Sequence, residues 1–216
     1  MKQIFTEVFY FTKCNLDPII RIIGPFILLM LCVGIPVNYY SEDIGSAAWG
    51  YWIVMMLVQP YYMCLLIKYM NNAVDNETEN MRVSFVEWFN LFVVYILYTT
   101  AVIIGFIALI IPGIYLAARY GFAEFESVLN KRKPIQALKS SWELTSSKVP
   151  VLMWGSIVIV GASILIDIPL SYLGELNTGV MALTEIISEL VSMLSMVLMS
   201  VFFFRVYGLT NNLTNA

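Results

Sequence analysis

Long apolar runs, separated by short polar or proline-marked stretches, constrain this chain more than any other feature. They cover about residues 19–37, 47–70, 84–111, 114–129, 149–173 and 179–204. A helix of roughly 20 predominantly apolar residues crosses a hydrocarbon core ~30 Å thick. The 216 residues are 60% hydrophobic and 12% charged, against ~25% charged in soluble domains. The expected fold is an all-α membrane protein: a single integral domain, 1–216, with six transmembrane helices as three hairpins and amphipathic helices in the cytoplasmic interface.

Lysine and arginine set the expected orientation. With six spans, eleven of the twelve cations fall on one side, and the exception, Arg119, lies inside a span. The opposite loops, 38–46, 112–113 and 171–178, carry none. Cytoplasmic loops are enriched in Lys and Arg, so both termini are expected on the cytoplasmic side. The first 18 residues carry acids and no apolar core followed by a small-residue cleavage site, so no signal peptide is expected.

Local signals refine this layout. Residues 2–14 place Ile4, Phe5, Val8 and Phe11 on one side, an interfacial amphipathic helix that Pro18 should end. Trp49, Tyr51 and Trp52 resemble an aromatic belt at the start of the second span. Pro60 should kink that span, and residues 71–81 read as a loop. Ser84 with Glu87 forms a capping box that starts the third span. Pro112-Gly113 reads as a tight turn that makes the third and fourth spans an antiparallel hairpin. After Lys131-Arg132-Lys133, Pro134 starts an amphipathic helix, with Ile135, Leu138 and Trp142 on its apolar side. Ile-Pro-x-x-Tyr recurs at 35–39, 111–115 and 168–172, suggesting repeat units 1–72, 73–130 and 131–216.

Ionisable residues within spans are costly and mark candidate sites. Arg119, Glu124, Glu126, Asp167, Glu185 and Glu189 qualify, with Ser192 continuing the stripe of Glu185 and Glu189. Counted depths of about 10 Å predict that Arg119 pairs with Asp167 or Glu185. Such a network serves helix packing, lines a hydrated cavity for a lipid head group or small polar solute, or forms an ion path. Lys131, Arg132, Lys133 and Lys139, with Trp142 at head-group depth, form a patch for anionic lipid. Ser140-Ser141 beside Lys139 reads as a solvated helix face.

No enzyme signature stands out. The chain has no histidine, the commonest general base and metal ligand, no nucleotide-binding loop and no Gly-x-Ser-x-Gly. Cys14, Cys32 and Cys64 read as small hydrophobes or idle thiols. No cofactor, metal or nucleic acid is expected.

The stretch IIPGIYLAARYGFAEFESVL followed by KPIQALKSSWELT resembles a bacterial family of polytopic membrane proteins. That family shares the membrane domain of some glycerophosphodiester phosphodiesterases. The matching positions are Pro112-Gly113, Arg119, Ala137-Leu138, Ser141-Trp142 and Leu144, with Val83-Ser84-Phe85 and Trp88-Phe89 upstream. The resemblance covers about residues 60–150 and implies membrane architecture only. It carries no catalytic residues, and this sequence shows no phosphodiesterase domain, so that activity is not implied.

The functional expectation is therefore a non-enzymatic membrane protein that binds lipid or a membrane partner, another protein or itself. Two alternatives stand beside it: a small transporter or accessory subunit using the acidic face of the sixth span, and an immunity protein against a toxin.

Overall fold

The computed structural model describes the backbone of residues 1–34, 36–37, 47–75, 81–176 and 178–214. The loop 38–46, expected on the outer side, and most of the first Ile-Pro-x-x-Tyr copy lie outside the described residues. The described residues form helices and connecting turns, with no strand among them. The helices are α1 (Lys2–Cys14), α2 (Leu16–Leu29) with a π-helical turn at Met30–Gly34, α3 (Ala47–Asp75), α4 (Phe85–Ala108), α5 (Ile110–Tyr120), α6 (Ala123–Val128), α7 (Pro134–Leu144), α8 (Val149–Leu176) and α9 (Thr178–Thr214).

Among the described residues, five helical stretches are long and apolar enough to cross a membrane: Leu16–Gly34, Trp49–Val74, Phe85–Ala108, Val149–Gly174 and Val180–Thr210. Their apolar side chains point outward as well as inward. Ile107 is 80% exposed and Leu165 74%. Exposed apolar surface on this scale calls for a non-aqueous surrounding.

Several boundaries differ from the sequence expectation. The expected fourth span is two short helices, α5 and α6, of 11 and 6 residues, separated at Gly121-Phe122. The reversal after α4 falls at Leu109, which is extended at φ −171° and ψ 159°. Pro112 instead sits in the first turn of α5, where its missing N–H leaves no bond unmade. What makes the reversal tight is Gly105 against Gly113: a Cβ on Gly105 would lie 2.9 Å from the Gly113 Cα. α1 ends at Asn15, and Pro18 opens α2 rather than ending α1. α3 continues to Asp75, and α9 extends beyond the apolar run ending near 204 to Thr214.

The capping box forms as read, with the Ser84 N–H donating to Glu87 Oε2 at 2.9 Å. Glu87 also pairs with Lys68 at 2.8 Å, tying α4 to α3. Trp88 Nε1 donates to the Leu57 carbonyl at 2.9 Å, in the turn before Pro60. α1 docks its predicted face on α9: Val8 is buried, Phe5 stacks on Phe202 and Glu7 bonds Arg205 at 2.7 Å. α8 and α9 form the most extensively packed pair, with the Phe202 ring seated on Gly155.

Candidate functional site

The polar residues expected to form one network separate into three groups, with Glu124 standing apart from them. The first centres on Glu126, which is 1% exposed. Its Oε2 accepts from Ser140 Oγ at 2.7 Å and pairs with Arg132 Nε at 2.9 Å. Its Oε1 accepts from Tyr207 Oη at 2.7 Å and from Asn130 Nδ2 at 2.8 Å. Four donors offset the desolvation of one carboxylate. Arg132, expected in a free basic patch, is pinned here. Lys131, Lys133 and Lys139 remain exposed.

α7 turns an unexpected face inward. Its buried residues are Ala137, Ser140 and Ser141, continued by Thr145, while Ile135 is 76% exposed. Ser141 Oγ donates to the Arg119 carbonyl at 2.8 Å and accepts from the Phe122 N–H at 3.0 Å. Ser141 therefore clamps the α5–α6 break and Ser140 bonds Glu126, so neither lies on a solvated face. The break frees backbone groups that a small hydroxyl can satisfy from a neighbouring helix.

Arg119 forms the second group. It is buried, and no carboxylate pairs with it among the described residues. The expected pairing with Asp167 or Glu185 does not form. Its guanidinium lies 4.1 Å from the Trp142 ring centroid and 5.9 Å from that of Tyr115, an aromatic seat for a cation. In the third group, along α8 and α9, Asp167 Oδ1 and Glu189 Oε1 are buried without a hydrogen-bond partner. Gly174 faces Thr184 and Gly155 faces Phe202, a register that sets Asp167 within about a turn of Glu189 in level. Glu185 is half-buried, and Ser192 is exposed.

Glu124 belongs to none of these groups. It faces a cavity of about 420 Å³ between α3, α4, the α5–α6 break and α9. The walls include Met56, Met63, Val94, Tyr98, Tyr120, Met196, Met199 and Phe203, with Gln59 and Ser200 as further polar groups. Tyr95 Oη donates to Glu124 Oε2 at 2.8 Å. Ser200 lines the cavity at 3% exposure, and its Oγ has no hydrogen-bond partner. Met56 and Thr99 are exposed, so the cavity opens sideways, between α3 and α4. An apolar pocket of this size with a few convergent polar groups is the usual form of a small-ligand site.

The sequence marked Glu124 as a candidate but not its partners or the cavity. Tyr95, Gln59 and Ser200 carried no spacing signal, because they lie on three different helices and come together only in the folded bundle. No metal-holding cluster of His, Cys, Asp and Glu occurs among the described residues. No family model, curated protein or solved structure matches the chain.

Proposed function

We propose that the chain is a non-enzymatic integral protein of a bacterial cytoplasmic membrane that binds an amphiphile inside its helical bundle. The cavity around Glu124 carries this reading: apolar walls, a lateral opening and a small polar end. The cavity lies toward the cation-bearing end of the helices, since Phe203 is two residues from Arg205 and Met63 five from Lys68. With cations on the cytoplasmic side, that is the level of the inner leaflet.

The reading includes six crossings with cytoplasmic termini, the fourth made of α5 and α6 in tandem. Residues 110–128 as near-continuous helix rise roughly 28 Å, close to a bilayer core. Tyr95, 14 residues before Leu109, bonds Glu124, 15 residues after it, which supports an antiparallel return along α4. Cysteines at Ser41 should label from outside and at Ser146 from the cytoplasm; the reverse pattern rules this topology out.

The function is tested by mass spectrometry of what copurifies from native membranes. Wild type should retain a lipid or other amphiphile that Thr99→Trp, which narrows the mouth, loses. Equal retention by both proteins would refute the cavity as the site. A second reading, a small transporter, draws on the unpartnered carboxylate oxygens of Asp167 and Glu189. On that reading, solute flux in proteoliposomes is abolished by Glu185→Gln with Glu189→Gln; unchanged flux rejects it.

A further inference from the structure

Resting on the amphiphile-binding reading, we infer that the cavity selects amphiphiles with an ammonium head, held by the Glu124 carboxylate, the tail lying along Met199, Met196 and Met56.

Lys68 is paired with Glu87, Arg132 with Glu126 and Arg205 with Glu7, and the Arg119 guanidinium lies over Trp142. No lysine or arginine lines the cavity. Glu124 has one hydrogen-bond partner, the neutral hydroxyl of Tyr95, and no ion pair among the described residues. An ionised carboxylate in an apolar enclosure is costly unless an opposite charge and hydrogen bonds offset its desolvation. A ligand ammonium supplies both. An anionic head would meet Glu124 with like charge and find no cation.

The remaining walls fit the same class. Tyr95, Tyr98 and Tyr120 contribute aromatic rings, whose faces attract ammonium and quaternary ammonium groups. The unpartnered Ser200 hydroxyl offers a further hydrogen bond to a polar linker. Methionine side chains are unbranched and polarisable, so they adapt to a tail without demanding one shape. The ends of the cavity also differ. Glu124, Tyr95 and Phe203 lie toward the cationic ends of their helices, and Met56, Thr99 and Met196 lie further along. A head at the inner interface with its tail deeper in the membrane matches that polarity.

The test is equilibrium binding to the purified protein in dodecyl maltoside, which is uncharged and has no ammonium group. Radiolabelled decyltrimethylammonium is the probe, with decyl sulfate and decanol as competitors. One saturable site per chain is expected. Decanol should compete at least about tenfold more weakly than unlabelled cation, and decyl sulfate more weakly still, since a desolvated charge pair is worth at least one decade in affinity. Glu124→Gln keeps an acceptor for Tyr95 and should weaken cation binding by about tenfold or more, leaving decanol nearly unchanged. The head-group series on wild type decides the claim even if that variant fails to fold. If cation and alcohol bind equally, and both are lost in Thr99→Trp, the cavity binds amphiphiles but the ammonium claim is wrong. If Thr99→Trp changes nothing, the amphiphile reading itself fails. Displacement by phosphatidylethanolamine identifies a membrane lipid as the source of the ammonium. Displacement only by single-chain ammonium compounds identifies a free amphiphile.

Discussion

Removing the Glu126 carboxylate is the sharpest test of how the cation-bearing end of the bundle is held. In Glu126→Ala, four donors lose an acceptor at once. Ser140 and Tyr207 are 7% and 4% exposed, so water cannot readily replace their partner. A buried donor left unmet costs about 1–3 kcal/mol. The Arg132 side chain is 48% exposed, so its share is screened to well under about 1 kcal/mol. Asn130 is exposed and can turn to solvent. Together these give a loss of about 3–4 kcal/mol, comparable with breaking a buried pair. Glu126→Gln keeps the shape. Its oxygen can serve Arg132 and Ser140, while its amide donates to Tyr207, whose hydroxyl can reverse. That variant should lose only about 1–2 kcal/mol. The assay is equilibrium unfolding in mixed micelles, followed by tryptophan fluorescence. A loss below about 0.5 kcal/mol for Glu126→Ala, or equal losses for both variants, would falsify the hub.

Trp142→Leu should lower stability by about 1–2 kcal/mol through its lost contact with the Arg119 cation, and much less once Arg119 is Leu; a double-mutant cycle with no coupling rejects the cation–π seat. In Gly121→Ala, the new Cβ would overlap the Phe203 ring, for a cost of about 1–3 kcal/mol that Phe203→Leu should relieve; an undiminished cost in the double variant would show that the ring is not the obstacle. Glu7 is held below its ordinary value of 4.5, chiefly by its hydrogen bond from Arg205 and then by that from Gln3. A depressed carboxylate stabilises the fold above its unfolded pKa and loses that contribution as pH falls through the folded value. Melting curves of wild type and Glu7→Gln should therefore converge as pH falls through and below the ordinary carboxylate range, and parallel curves across that range would contradict the contact.

What the sequence made legible were features repeated along the chain. Five helices long and apolar enough for a membrane followed from hydropathy, and α1 and the Ser84–Glu87 cap from periodicity and spacing. Spacing gives depth along a helix and its relative faces, but not which neighbour a face meets. Arg119 was thus assigned to acids at its counted level, while the structure turns it onto Trp142. Composition also misread α7. Serine and threonine are small enough to be buried if backbone groups await them, and the α5–α6 break supplies those groups. The break itself falls at Gly121-Phe122, with no proline to announce it; Pro112-Gly113 was the louder signal and sits inside a helix. The cavity depends on that break and on the meeting of three sequence-distant helices, so no local pattern encodes it.

The most direct test of an amphiphile site inside the bundle is a cryo-electron microscopy map of the protein in native-lipid nanodiscs. The account predicts elongated density between α3, α4 and α9, entering past Met56 and Thr99, with its polar end about 3 Å from the Glu124 carboxylate. A cavity closed by its own side chains, or holding only isolated waters, would contradict it.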